Sequence, residues 1–162
     1  MRQSTLSGRP RRYPFYWIGD TSWAIFQRLN REQVDNYLDV RKEQGFTVIQ
    51  AVDFWYPHGS FRPFGPLNET NAIVHRPFIS TEDDPQTAQP LIREDGSPEV
   101  PNDYWDHTDY VIEAVKARGL KLVLLPYWAN AFISNRVDGS RIVFTKEDAR
   151  TYGRFLGDRY QN

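Results

Sequence analysis

The chain has 162 residues, of which 40% are hydrophobic and 25% are charged, so it can bury the core of one compact domain. Its 20 lysines and arginines balance 21 aspartates and glutamates, which leaves no excess of positive charge to attract nucleic acid or an anionic membrane. The sequence has no cysteine, which excludes disulfides, thiolate metal sites and thiol nucleophiles. The composition therefore predicts a globular domain that binds neither nucleic acid nor a membrane.

The amino-terminal residues 1–12 are basic, and no apolar run of signal-peptide length follows them. We interpret them as a disordered leader and residues 13–162 as the folded unit. As written, the sequence favours a cytoplasmic protein. Secretion stays open if the amino terminus is truncated.

Strands and helices alternate along the rest of the chain. Asn30 with Gln33 three residues later has the pattern of a helix-capping box, and Gly45 and Gly119 each follow a stretch of helical periodicity. The run of apolar and β-branched residues 46–52 is typical of a strand covered on both faces. We predict strands over residues 14–19, 46–52 and 120–126, and helices over 31–44, 102–118 and 146–160.

This alternation predicts right-handed crossovers and a parallel sheet. Either a doubly wound sheet or part of a (β/α)8 barrel has this order. A full barrel takes about 250 residues. As a TIM-type barrel, the chain would therefore hold only about the first three βα units.

A long irregular stretch interrupts the pattern between residues 53 and 101. It contains eight of the 11 prolines and shows no sustained periodicity. Loops of this length in compact domains are uncommon and often functional. Because regular structure resumes at the next helix, we interpret residues 53–101 as a functional insertion.

Acids, amides and large aromatic rings occur where the predicted strands end, which is where parallel α/β proteins bind ligands. Aromatic residues make up 15% of the chain, and such rings stack on sugars in carbohydrate clefts. An aromatic-rich core and an aspartate turn at Asp20 are the structural alternatives. The candidate substrate-binding residues are Asp20, Trp23, Gln50, Asp53, Tyr127 and Trp128.

The sequence lacks the residue patterns of metal sites, phosphate-binding loops and serine hydrolases. The three histidines show no metal-ligand spacing, and no glycine-rich phosphate loop or Gly-x-Ser-x-Gly elbow is present, so we predict no metal and no cofactor. Hydrolysis of a glycosidic bond needs two carboxyl groups that flank it. Asp20 and Asp53 are the strand-end acids, and spacing alone assigns neither of them a role.

Five segments, in order, resemble one known family. They are Phe15-Tyr-Trp-Ile-Gly-Asp-Thr-Ser-Trp23, Gly45-Phe-Thr-Val-Ile-Gln-Ala-Val52, Pro101-Asn-Asp-Tyr-Trp105, Gly119-Leu-Lys-Leu-Val-Leu-Leu-Pro-Tyr-Trp128 and Tyr152-Gly-Arg-Phe-Leu-Gly-Asp-Arg-Tyr160. They are similar to the apiosidase-like glycoside hydrolases, a (β/α)8 family whose best-known member removes apiose from branched pectic side chains. The resemblance implies hydrolysis of glycosidic bonds in plant cell-wall (pectic) or related glycans.

The chain also departs from this family. The resemblance places a fourth strand ending in Gly-Gly-Asp, and a second catalytic carboxylate, after Asn162, so we expect no catalytic residue within these 162 residues. Residues 61–68 lack the family's Asn-Ala-Tyr-Gly motif, and residues 126–130 lack the Gly-Asp that follows the tryptophan in relatives.

The sequence thus predicts the first three βα units of a glycoside hydrolase barrel. Its partners would be an oligosaccharide or polysaccharide substrate and the polypeptide that completes the barrel. Two alternatives remain at this point: a non-catalytic α/β carbohydrate-binding module, and an inactive truncated product whose edge strands lack partners.

Overall fold

A computed structural model describes residues 14–54, 75, 77–79, 89–127 and 146–161. The leader over residues 1–12, Trp128 and much of the insertion lie outside these residues. The helices and strands are β1 (Gly19–Thr21), α1 (Ile25–Arg28), α2 (Arg31–Glu43), β2 (Val48–Phe54), α3 (Tyr104–Ala117), β3 (Lys121–Tyr127) and α4 (Lys146–Arg159).

The three strands form one parallel sheet in the order β1-β2-β3. Thr21 of β1 is paired with Gln50 of β2, and Gln50 is paired with Val123 of β3. Because all the pairings are parallel, the carboxyl ends of the strands lie at the same edge of the sheet. The predicted parallel α/β order is confirmed.

The first predicted strand was wrong in its position. Residues 15–18 precede the sheet, and β1 begins at Gly19, where that strand was expected to end. These β-prone residues are exposed, with Tyr16 at 75% and Trp17 at 62%, and the Ile18 carbonyl accepts a hydrogen bond from the Thr47 N–H at 2.8 Å. The strands β2 and β3 extend to Phe54 and Tyr127, one or two residues beyond the predicted ends. Strand propensity reflects packing on a half-buried surface, which these exposed rings lack.

Hydrophobic side chains of α2 and α3 cover one face of the sheet. Val34 and Leu38 of α2 pack with Ile49 of β2 and with Val111 and Val115 of α3. The helix α1, which the sequence did not predict, adds Ile25 and Phe26 to the same core. Burying apolar area in this layer provides the main stabilisation of the described fold.

An aromatic cluster joins α4 to α3, and we call it the second core cluster: Phe78, Tyr104, Trp105, Tyr152 and Leu156. The ring centroids of Phe78 and Tyr152 are 5.3 Å apart and nearly perpendicular. Ala149 of α4 is exposed. The larger rings fill the space between the helices without this small side chain.

Side chains cap the amino-terminal ends of α2 and α3. Asn30 and Gln33 form the predicted capping box. At α3, the cap is Asp103, because its carboxylate accepts from the N–H groups of Trp105 and Asp106 at 2.8 and 3.0 Å. Both caps satisfy N–H groups that would otherwise lack partners.

Candidate functional site

Side chains of β2 alternate between two faces of the sheet. Ile49 and Ala51 pack in the core with α2 and α3, and we call their side the helix face. Alternation directs Gln50 to the opposite side, together with its in-register neighbours Thr21 and Val123. We call this side the inner face, because it would line the interior if the sheet closed into a barrel.

Gln50 places a polar amide in an otherwise apolar strand. Its side chain is half-buried, and none of the residues that the structure describes forms a hydrogen bond with its side-chain amide. Its carbonyl accepts from the Ser22 N–H at 2.8 Å, which ties the segment after β1 to β2. The amide can therefore donate to and accept from a polar ligand on the inner face.

The aromatic candidates Trp23 and Tyr127 lie at the same edge of the sheet. The indole of Trp23 is 37% exposed, and its carbonyl accepts from the Val52 N–H at 3.3 Å, so Trp23 lies beside the end of β2. Tyr127 ends β3, is half-buried and packs against the second core cluster. Trp128, the next candidate, lies outside the described residues.

The candidate acid Asp20 faces the helices. It is in register with Ile49, and its carboxylate accepts from the Tyr37 hydroxyl at 2.7 Å and forms an ion pair with Arg41, both on α2. Burial raises the pKa of Asp20, but hydrogen bonds from Tyr37 and Arg41 and the charge of Arg41 outweigh this effect and hold the pKa below its usual value. These contacts fix α2 against β1.

The second candidate acid, Asp53, also points to the helix face. Its side chain is fully buried, and Oδ2 accepts from the Tyr152 hydroxyl at 2.6 Å. The Tyr104 hydroxyl donates to the Asp53 backbone carbonyl at 2.5 Å. Burial raises the pKa of Asp53 to about 7, against the hydrogen bonds from Tyr152 and Thr108, and the charge of Asp109 adds to the increase.

The structure thus separates the six candidate residues. Gln50 lies on the inner face and the backbone of Trp23 lies beside the end of β2, whereas Asp20 and Asp53 are held by helices. Sequence reasoning missed the partners of Asp53, although Tyr152 lies in the helix predicted over residues 146–160. A polar group on an apolar stripe, such as the Tyr152 hydroxyl, is the signal that could have indicated a buried hydrogen-bond partner.

The described residues contain no group of three or more histidine, aspartate or glutamate side chains that could hold a metal ion. None of the described helices is long and apolar enough to cross a membrane. His107 is fully buried on α3, and its pKa is lowered to about 4, mainly by burial and further by the charges of Arg31 and His75. Its imidazole is therefore neutral at physiological pH.

A comparison with models of known protein families shows the family to which the chain belongs. The model of the "Apiosidase-like, catalytic domain" family matches residues 7–162. The chain belongs to the apiosidase-like family. This membership agrees with the resemblance carried by the five sequence segments. No curated protein sequence matches this apiosidase-like chain.

Two solved structures share the fold of the apiosidase-like chain. One is a crystal structure of a glycoside hydrolase family 5 protein from Bacteroides vulgatus, with a TM-score of 0.67 and 26% identity. The match covers 92% of this chain and 27% of that protein. A second structure, titled glycoside hydrolase, has a TM-score of 0.65 and 24% identity over 92% of this chain and 28% of its own. The chain therefore spans about a quarter of these similar barrel proteins.

The contacts of Asp20 predict a structural effect of its removal. We expect Asp20→Asn to lower the free energy of unfolding by about 1 kcal/mol at pH 7, because it removes a charge-assisted contact with Arg41 that is partly screened by solvent. Since the folded-state pKa is lowered, the stabilisation is present at neutral pH and is lost as the pH falls below the ordinary range of aspartate. Urea unfolding at pH 7 and pH 3 measures both effects.

Asp39→Asn is the matched control, because Asp39 is a more exposed partner of a second arginine, Arg118. Its effect at pH 7 should be smaller than that of Asp20→Asn. Equal unfolding energies for the wild type and Asp20→Asn at pH 7 would contradict a structural role for Asp20.

Proposed function

We propose that this apiosidase-like chain provides the β1–β3 part of a sugar-binding cleft in a glycoside hydrolase barrel. The cleft lies on the inner face, at the carboxyl ends of the strands. Gln50 is the observation that supports this proposal, since it presents a half-buried amide that none of the described residues bonds. The exposed indole of Trp23 lies at the same edge.

The two side chains offer the two kinds of contact that bind carbohydrates. A sugar ring places its C–H face on an aromatic plane, while its hydroxyl groups exchange hydrogen bonds with amides at the edge. Gln50 can donate to one hydroxyl and accept from another. Trp23 offers a flat apolar surface close to the end of β2, where such a ring would lie.

The substrate class in this proposal is a plant cell-wall glycan of the pectic type. It rests on membership of the apiosidase-like family and on the resemblance of the sequence segments to it. The insertion over residues 53–101 follows directly on β2 in the sequence. We therefore assign the choice among pectic side chains to this segment.

The catalytic pair is assigned to other strands of the barrel. A general acid and a nucleophile or base must flank the scissile bond. Asp20 and Asp53 point to the helix face, where Arg41 and Tyr152 bond them, so neither can reach a sugar on the inner face. We propose that both catalytic carboxylates come from the segments that the family resemblance places after Asn162.

A binding experiment tests the proposed cleft. We expect the chain to bind an apiose-branched pectic oligosaccharide in isothermal titration calorimetry, and Gln50→Ala to weaken the binding by about three- to tenfold, since it removes hydrogen bonds worth about 1 kcal/mol. Asp39→Asn, on the far side of α2, serves as a control with unchanged affinity. Linear galacturonan and xylan oligomers test selectivity.

Two outcomes would contradict this proposal. One is equal affinity of the wild type and Gln50→Ala, provided that circular dichroism shows both to be folded. The other is steady release of sugar that Asp20→Asn or Asp53→Asn abolishes, because it would place the catalytic pair among the helix-face acids. Binding without turnover is also expected of a non-catalytic carbohydrate-binding module, and a barrel completed with the later strands would separate the two by its activity.

A further inference from the structure

Three oxygen atoms within hydrogen-bonding distance of one another in a row connect β2, β3 and α4 at the carboxyl edge of the sheet. The Tyr152 hydroxyl oxygen of α4 lies 2.6 Å from Oδ2 of Asp53 and 2.9 Å from the carbonyl oxygen of Pro126. The Asp53 side chain is fully buried. Both distances are those of hydrogen bonds between oxygen atoms.

If Asp53 is ionised, these three groups have fewer protons to donate than contacts to fill. A tyrosine hydroxyl has one proton to donate, whereas an aspartate carboxylate and a peptide carbonyl are both acceptors. If Asp53 is ionised, Tyr152 can satisfy only one of these two oxygens. If Asp53 carries a proton, it donates to the Tyr152 oxygen, and Tyr152 donates to the carbonyl of Pro126. In the protonated form, the Asp53 carboxyl and the Tyr152 hydroxyl together supply one donor to each of these two contacts.

The other groups around Asp53 do not supply a compensating charge. From α3, Thr108 lies 3.4 Å from Oδ1 and is also 3.3 Å from the Tyr104 carbonyl, while the Tyr104 hydroxyl donates to the Asp53 backbone. Asp109 of α3 repels a negative charge on Asp53.

Among the described residues, the cation beside Asp109 is already engaged. Arg159 of α4 forms an ion pair with Asp109 at 2.6 Å, and Tyr160, just after α4, donates to the same carboxylate. On β3, the neighbouring titratable group is Tyr127, a half-buried phenol. No cation in the described part of the chain pairs with Asp53.

We propose that Asp53 is a proton-dependent latch, which in its protonated form links β2 through Tyr152 to the end of β3 and closes α4 onto the sheet. When the proton leaves, Tyr152 turns to the carboxylate and its hydrogen bond to the Pro126 carbonyl is lost. The latch then loosens at the edge where the segments after β2 and β3 begin. Its opening would change the shape of the strand ends that border the inner face.

The pKa of Asp53, raised to about 7 by burial, puts this change near neutral pH. The folded chain binds the proton more tightly than the unfolded chain, so the free energy of unfolding has the whole contribution of this proton below the ordinary aspartate pKa of 3.8. This contribution is lost as the pH rises from 3.8 to about 7, and the free energy does not change further above pH 7. A shift of about three units corresponds to a change of roughly a thousandfold in the unfolding equilibrium constant.

Carbon-13 NMR of the full chain tests the latch without any substitution. With the aspartate carboxyl carbons labelled, we expect one of them to titrate with a midpoint near pH 7, and Asp53→Asn to remove that signal. Midpoints confined to the ordinary acidic range for every aspartate would overturn the proposal.

Variants separate the latch from general packing. Asp53→Asn imitates the protonated acid, because its amide can donate to Tyr152, so it should keep the wild-type stability at low pH and lose the decline between pH 4 and 7. Tyr152→Phe keeps the ring in the second core cluster but breaks the connection to Pro126. The protection of amides at the end of β3 against exchange, relative to the intrinsic rate at each pH, should then fall and become independent of pH. Asp20→Asn, an acid with a lowered pKa on the same face, should keep the decline. Wild-type pH dependence in Asp53→Asn would overturn the proposal.

Discussion

Trp105→Ala is expected to lower the free energy of unfolding by about 3–5 kcal/mol, the range for truncating a fully buried aromatic side chain. Trp105 has no exposed surface, and its ring lies 4.6 Å from that of Phe155 and 6.0 Å from that of Phe78. Its indole N–H also donates to the Pro77 carbonyl at 2.9 Å, so the substitution leaves a buried acceptor without its donor. Urea denaturation followed by circular dichroism measures the loss.

Trp17→Ala is the matched control for this prediction. It removes the same side chain from a site where 62% of the residue is exposed, so the expected change is within about 0.5 kcal/mol. Similar losses for the two variants would show that the second core cluster does not hold α4 and the segment around Phe78 against α3.

Leu38→Ala is expected to cost about 2–5 kcal/mol, because it opens a cavity between α2 and the sheet. Leu38 is fully buried in the core that contains Ile49 and Val111. The same measurement on Val40→Ala gives the control, since Val40 is on the same helix and is 45% exposed. A loss below 1 kcal/mol for Leu38→Ala would contradict the placement of α2 on the sheet.

The sequence predicted the order and the parallel arrangement of the elements because hydrophobic periodicity reflects burial directly. The run 46–52 carries apolar residues on both faces, and the strand that it predicts pairs with two neighbours. The same reasoning failed at residues 15–18, where aromatic residues with high strand propensity lie exposed before β1. Propensity alone cannot distinguish a strand from an exposed aromatic segment.

The six candidate site residues stay a prediction. The expectation that strand ends carry polar and aromatic residues led to Trp23, whose backbone lies beside the end of β2, and to Gln50, which lies within β2 on the inner face. The same expectation included Asp20 and Asp53, but the face to which an acid points depends on the exact register of the strand. Because the side-chain period of a strand is two, a shift of one residue reverses the face.

The partners of the two acids were beyond the reach of sequence spacing. Arg41 is 21 residues from Asp20, and Tyr152 is 99 residues from Asp53. Such contacts depend on how the helices pack on the sheet. Only the folded chain shows that these carboxylates hold helices in place.

An NMR titration of the nitrogen-15-labelled chain with an apiose-branched pectic oligosaccharide tests the central claim most directly, because it locates the sugar on one face of the sheet. We expect saturable shifts of the Gln50 side-chain amide, the Trp23 indole N–H and the Ser22 backbone amide, while signals around Asp20 and Asp53 stay in place. Shifts confined to the helix face around Tyr37 and Tyr152, or no saturable shift at any concentration of the oligosaccharide, would contradict a sugar-binding cleft on the inner face.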